Sequence, residues 1–172
     1  MNRSAVYDDD ILEWSEQQAD ALRDFARTRP DMSNVIDWEN VAEEIACVGR
    51  TEFAAVLSYI RQILTHVAKA VSVPDAPPLL HWRSEVVAFH RDLLDRISPS
   101  MPARIDVSKL WRQALRQADA DLAVHGQGVA ASLTKECPLT LNQILDPNFD
   151  FLVSVAAVQK RLEKDRPSSS GS

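Results

Sequence analysis

Apolar residues recur at three- and four-residue steps through residues 36–71, the longest periodic stretch of the chain. They are Val41, Ile45, Val48, Val56, Tyr59, Ile60, Ile63, Leu64, Val67 and Val71. This spacing places them on one face of a helix. The sequence therefore predicts one long helix that begins near Asp37, whose side chain can cap the first turn. Gly49 allows either a bend or a close helix crossing; a split into two helices is the less favoured alternative, because the apolar face resumes in phase after it.

The same periodicity predicts shorter helices on both sides of the long one, over residues 10–28, 79–97, 107–125, 141–145 and 150–166. In the first of these, the apolar face is expected to contain Ile11, Trp14, Ala21, Leu22 and Phe25. Three prolines, Pro74, Pro77 and Pro78, must end the long helix. We predict an all-α fold, a single-domain bundle of about five to six helices around one long central helix, over residues 1–166. The closing residues 167–172 are expected to be a disordered tail.

Composition narrows the class of protein. The 172 residues are 45% hydrophobic and carry a formal charge of −6, which suits one globular domain and makes nucleic-acid binding an unfavoured function. No stretch approaches the roughly 18 apolar residues that a membrane span needs, and the N-terminus lacks the apolar core of a secretion signal. Two cysteines are too few for a disulfide framework. The sequence thus predicts a cytoplasmic protein that does not contact membranes.

Four blocks of the sequence resemble a bacterial family known only as a domain of unknown function, the twenty-ninth of that series. The blocks are YDDDILEWSEQQADALR, DWENVAEEIACVGRTEF with LTHVAKA following, HWRSEVVAFHRDLLDRISPSM and ECPLTLNQILDPNF. They cover nearly all of residues 7–149 in the order of the family. The chain departs from the family pattern at residues 67–70 and at Leu139, where the family usually has bulkier or aromatic residues. The resemblance implies a helical fold and a bacterial source, and it supplies no activity or catalytic residues.

Acidic residues and histidines near the apolar faces raise the hypothesis of a metal site built from Glu44, His66, His81 and Glu85. The Glu and His pairs spaced three apart that helical bundles use for such sites are absent. A polar interface between helices explains the same residues more simply. The candidate residues for this interface are Glu43, Arg50 and Arg83. We favour this second interpretation.

Other chemistry has weaker support in the sequence. Cys137 has Lys135 nearby, but Glu136 opposes that charge and no histidine is close in sequence, so a nucleophilic role is unfavoured. No nucleophile elbow or glycine-rich phosphate loop occurs, and no cofactor is predicted. A group of cations could meet a phosphate or an acidic partner, although solvated helix surface is the favoured interpretation. This group is Arg104, Lys109, Arg112 and Arg116.

Three functions remain open, and the sequence does not decide whether the protein is an enzyme. The leading one is a noncatalytic helical module that binds a protein partner or self-associates. Its candidate docking residues, on the last predicted helix, could pack either on the core of their own chain or on another chain. They are Phe151, Leu152, Val155, Val158 and Leu162. The alternatives are a metal-dependent hydrolase with the acidic and histidine site and, third, a nucleic-acid regulator.

Overall fold

The structure is a computed structural model that describes residues 7–29, 36–133 and 136–164. These residues form helices joined by loops and contain no β-strand. Six α-helices lie wholly within them: α1 (Ile11–Thr28), α2 (Trp38–Ser72), α3 (Leu79–Arg96), α4 (Val107–Ala123), α5 (Leu141–Ile144) and α6 (Phe151–Lys164). Residues 7–9 are also helical, and a 3₁₀ turn covers Pro102–Arg104. The predicted all-α fold with one long helix is confirmed, while the predicted tail lies outside the described residues.

Side chains that accept hydrogen bonds from free backbone amides fix where several helices begin. Asp37 accepts from the Asn40 amide at 3.2 Å, and this capping role was predicted from the sequence. Asp106 accepts from the Lys109 amide at 2.9 Å at the start of α4. At α5, Thr140 and Gln143 form a reciprocal capping box, which allows a helix of only four residues to form.

The described chain divides into two compact units. The first unit contains the described part of Met1–Leu57 together with Arg96–Ile105, and the second contains Ser58–Asp95 with the described part of Asp106–Ser172. Helix α2 contributes residues to both. The expectation of one domain over residues 1–166 stays a prediction.

The first unit is packed through small side chains. Ala19 of α1 and Ala42 and Ala46 of α2 form a buried cluster, against which Leu22 packs. Gly49 belongs to the same contact, because a Cβ atom added there would lie 2.0 Å from the Ser15 Oγ and 3.0 Å from the Leu12 Cα. Of the bend and the close helix crossing that the sequence left open at Gly49, the structure shows the close crossing.

Two predicted faces are wrong in the first unit. Val41 and Val48 were expected to be buried, yet 39% and 46% of their surfaces are exposed. In α1, Phe25 is exposed as well, whereas Leu12, Ser15 and Ala19 are buried. The close approach of α1 and α2 selects small residues for the contact, so larger apolar residues on neighbouring positions are turned to the surface.

The core of the second unit follows the predicted periodicity closely. Its buried residues come from the second half of α2, from α3, α4 and α6, and from the α5 segment. They include Ile60, Ile63, Leu64, Val67, Ala68, Val86, Leu93, Trp111, Ala114, Ala118, Ile144, Phe151, Val155 and Val158. Helix α2 ends before Pro74, as the three prolines predict.

Candidate functional site

His66, His81 and Glu85 meet in the second unit. His66 comes from α2, and the other two lie four residues apart on α3, so their side chains share one helix face. The His66 Nε2 is 3.5 Å from one oxygen of the Glu85 carboxylate, and the His81 Nε2 is 3.5 Å from the other. Three of the four residues proposed from the sequence as metal ligands are therefore neighbours.

His66 is held in an apolar, aromatic environment. Its ring stacks on Phe89 with a centroid distance of 6.0 Å and lies 6.3 Å from the Trp82 ring. The Nδ1 atom is buried and has no hydrogen-bond partner among the described residues. Burial lowers the pKa of His66 to about 4, and the charge of Lys69 adds to this effect, while Glu85 and Asp121 oppose it. The imidazole is consequently neutral at neutral pH.

This low pKa predicts a specific pH dependence of stability. In the unfolded chain the imidazole protonates near its ordinary value of 6.5, whereas in the folded chain it stays neutral down to about 4. The unfolded state therefore binds more protons between these two values, and the free energy of unfolding should fall by about 3 kcal/mol as the pH drops through that window. Urea unfolding at a series of pH values measures this loss. His66→Leu should remove this contribution to the pH dependence of the free energy of unfolding. If the two proteins lose stability equally as the pH falls, the loss does not come from His66.

Glu44, the fourth proposed ligand, is exposed and belongs to the first unit, 22 positions before His66 on α2. It borders a shallow surface depression with Cys47, Val48 and Glu52. Within the described residues, no group of three or more His, Cys, Asp and Glu side chains is arranged to hold a metal ion. The four-residue metal site thus stays a prediction without geometric support.

Trp82 also lines a cavity of about 590 Å³ in the second unit. The cavity is bordered by the end of α2, the proline-rich loop before α3, the start of α3 and the end of α4. The Lys69 Nζ lies 3.3 Å from an oxygen of Asp121 and 4.7 Å from the centroid of the Trp82 ring. Sequence reasoning missed this pair because its members are 52 residues apart and belong to no motif.

The proposed polar interface is assembled only in part. Glu43 pairs with Arg50 on its own helix and with Arg23 of α1, where the Arg23 Nη2 to Glu43 Oε2 distance is 3.2 Å. Arg83 is exposed, and among the described residues no carboxylate pairs with it. These partially exposed pairs each contribute about 0–1 kcal/mol to stability.

The docking residues proposed on the last helix pack mainly on their own chain. Phe151, Val155 and Val158 expose only 2%, 6% and 3% of their surfaces. Leu162 is partly buried, and Leu152 remains 37% exposed. Of the two alternatives that the sequence left open, the structure favours packing on the core of the same chain.

The two cysteines differ in environment. Cys137 is partly buried, and burial raises its pKa to about 11 against a smaller opposite effect of a backbone hydrogen bond at Leu139. A thiol with so high a pKa is protonated at neutral pH and is a poor nucleophile. Cys47 is exposed and lies 3.8 Å from the Thr51 hydroxyl.

The four proposed cations do not form one free surface. Arg104 makes two hydrogen bonds to the Glu16 carboxylate, at 2.6 and 2.8 Å. Lys109, Arg112 and Arg116 are exposed on α4 and pair with no carboxylate in the part of the chain that the structure describes. This arrangement agrees with the solvated helix surface favoured from the sequence.

Two exposed strips, which the sequence did not single out as pairs, share one spacing and carry opposite charges. The acidic strip consists of Val41, Glu44 and Val48 on α2. The basic strip consists of Leu80, Arg83 and Val87 on α3, where Leu80 is 72% exposed and Val87 57%. In both strips the charged residue follows the first apolar residue by three positions, and the second apolar residue follows the first by seven.

None of the described helices has both the length and the apolar character needed to cross a membrane. Among curated proteins, none matches the chain. A crystal structure at 1.45 Å resolution of an alpha-helical protein of unknown function from Rhodospirillum rubrum ATCC 11170 is similar, with 42% sequence identity and a TM-score of 0.83. The similarity covers 88% of this chain and 96% of that protein. The family described as "Domain of unknown function DUF29" matches residues 6–150. The chain therefore belongs to the DUF29 family.

Proposed function

We propose that the protein is a noncatalytic helical interaction module of the bacterial cytoplasm that self-associates. The observation that carries the proposal is the pair of strips with matching spacing and opposite charge. In the contact we propose, the acidic strip of one copy binds the basic strip of a second copy. The protein partner of this module is thus another molecule of the same chain.

The chemistry of the two strips supports a second copy as the occupant. Apolar residues seven positions apart on each helix can interdigitate when two helices pack side by side. Glu44 and Arg83 pair with no other described residue of the chain, so each carries a charge that a partner can neutralise. Opposite charges at the edge of an apolar contact favour this pairing over contacts between identical strips, which would bring like charges together.

The state of the candidate reactive groups supports a noncatalytic role. His66 is neutral, stacked on Phe89 and partly enclosed by aromatic rings. Cys137 is partly buried, and burial raises its pKa. A neutral, stacked imidazole contributes to packing, and a protonated thiol is a poor nucleophile.

Two observations support the proposed source and compartment. The similar crystal structure comes from a bacterium, Rhodospirillum rubrum. Both cysteines of this chain are free, as is usual in proteins of reducing compartments.

Charge reversal tests the proposed contact. The wild-type protein should self-associate weakly, with a Kd of about 10–100 μM for each contact between strips, because each strip is short. Glu44→Arg and Arg83→Glu should each weaken dimerisation at least about tenfold, since each places like charges in the contact. An equimolar mixture of the two variants should regain the wild-type affinity, because each introduced charge then faces its complement. Sedimentation velocity over a range of concentrations measures all of these states.

Matched controls separate the strips from general charge effects. Glu163→Arg and Arg112→Glu change the net charge by the same amounts at exposed positions of α6 and α4, and they should leave dimerisation unchanged. A wild-type protein that remains monomeric at about 1 mM would overturn the proposal. A mixture that associates no better than the separate variants would overturn the pairing of the two strips.

A further inference from the structure

The cavity of about 590 Å³ in the second unit has the size of a small-molecule site. Its walls include Pro77, Pro78 and Leu122, which offer apolar surface. Trp82, which is 93% buried because only 7% of its surface is exposed, contributes an aromatic wall. Apolar walls with a few convergent polar groups are the usual composition of a ligand pocket.

Lys69 and Asp121 bring one positive and one negative charge to this apolar cavity. Only 11% of the Lys69 side chain and 39% of the Asp121 side chain are exposed. Their separation of 3.3 Å is longer than the 2.7–2.9 Å typical of strong charged hydrogen bonds. The ammonium has three donors and the carboxylate two oxygens, so both groups retain capacity for a ligand.

Two of the helix ends around the cavity add to the polarity of the side chains, whereas the negative end of α2 lies beside Lys69, whose positive charge offsets it. Trp82 lies in the first turns of α3, where the helix dipole is positive, and Asp121 lies in the last turn of α4, where the dipole is negative. A ligand carboxylate is therefore favoured near Lys69 and the start of α3. A ligand ammonium is favoured near Asp121 and the end of α4.

From this arrangement we infer that the cavity binds a small zwitterion with an apolar side chain, of the class of the apolar α-amino acids. The ligand carboxylate binds Lys69, its ammonium binds Asp121, and its side chain contacts Trp82 and the proline-rich wall. A ligand with only one of the two charges would be repelled by the like-charged protein group. This site is independent of the proposed self-association, because none of its residues belongs to either strip.

Titration of the full-length protein with L-leucine and two matched analogues tests the inference. The analogue 4-methylpentanoate lacks the ammonium group, and 3-methylbutylamine lacks the carboxylate. L-Leucine should bind with a Kd of about 1 mM or lower, and each analogue should bind at least about tenfold more weakly. Isothermal titration calorimetry gives the affinities, and amide chemical-shift changes near Lys69 and Asp121 locate the ligand.

Two variants make the test specific. Asp121→Asn should weaken leucine binding about tenfold and remove the preference for leucine over 4-methylpentanoate, which a purely structural role of Asp121 would not do. Lys69→Met should remove the preference for leucine over 3-methylbutylamine. Asp95→Asn, an exposed change of the same kind on α3, should alter neither affinity nor preference. Absence of saturable leucine binding up to about 10 mM would overturn the inference, as would equal affinities for leucine and 4-methylpentanoate.

Discussion

Replacing Asp10 by alanine is expected to lower the free energy of unfolding by about 3–4 kcal/mol. The Asp10 carboxylate caps α1 by accepting from the Glu13 amide at 3.1 Å. It also accepts from the Ser98 hydroxyl at 2.8 Å and from the amide and the hydroxyl of Ser100 at 2.7 and 2.9 Å. Removal of this one acceptor leaves several donors of the first unit unpaired in a buried place. Chemical denaturation of the wild type and the variant measures the loss.

Asp106→Ala is the matched control for Asp10→Ala. Asp106 caps α4 through the Lys109 amide in the same way, but it is exposed and accepts no long-range hydrogen bond that the structure records, so its loss should cost only about 1 kcal/mol. Burial by itself would raise the pKa of Asp10, yet the hydrogen bonds from Glu13, Ser98 and Ser100 together lower it. The stabilisation by Asp10 should accordingly be lost as the pH falls through this lowered pKa. Equal costs for the two aspartates would contradict the long-range role of Asp10.

Gly49→Val is expected to destabilise the protein by at least about 3 kcal/mol, although glycine is ordinarily the poorer residue inside a helix. Even a single added Cβ would lie 2.0 Å from the Ser15 Oγ and 3.0 Å from the Leu12 Cα. Ser15 is fully buried and donates to the Leu12 carbonyl at 2.9 Å, so it cannot rotate away without losing that hydrogen bond. Thermal and urea unfolding measure the change.

A double-mutant cycle identifies the contact that is responsible. Gly49→Ala should destabilise the wild type but should cost about 1–2 kcal/mol less in a Ser15→Ala background, because the nearest clashing atom is then absent. Additive effects of the two substitutions would show that the close approach of α1 and α2 does not determine the need for glycine.

The positions of the helices could be predicted from the sequence because local signals determine them. The predicted helix over residues 107–125 is observed as Val107–Ala123, and the prolines end α2 after Ser72. Thr140 caps α5 as predicted. Periodicity, caps and helix-breaking residues act within a few positions, so a single sequence contains them.

The buried faces of α1 and of the first half of α2 were harder to predict from the sequence. Periodicity favoured Val41 and Val48 as core residues, but the contact between the two helices is formed by Ala19, Ala42, Ala46 and Gly49. Small residues contribute little to a hydrophobic pattern even where they determine how closely two helices approach. A stronger weight on the Ala42, Ala46 and Gly49 spacing would have indicated the correct face.

The sequence predicted contacts in the candidate site only between residues that lie on the same helix. His81 and Glu85 lie one helical turn apart, and their proximity follows from sequence spacing. The meeting of His66 with Glu85, and that of Lys69 with Asp121, depends on tertiary packing between helices. No local pattern encodes which turns of two helices will face each other, so these pairs required the structure.

The first unit is formed by two separate segments of the chain, and this has a consequence for protein synthesis. Its two segments are separated in the chain by residues 58–95, which belong to the second unit. As the polypeptide leaves the ribosome, α1 emerges first, but the Ser98 and Ser100 partners of Asp10 are translated 88 and 90 residues later. At elongation rates of about 5–20 residues per second, these contacts can form only several seconds after α1 has been synthesised. During that interval the Asp10 carboxylate has only its capping contact with the Glu13 amide, and a chain that ends before residue 98 cannot complete the first unit.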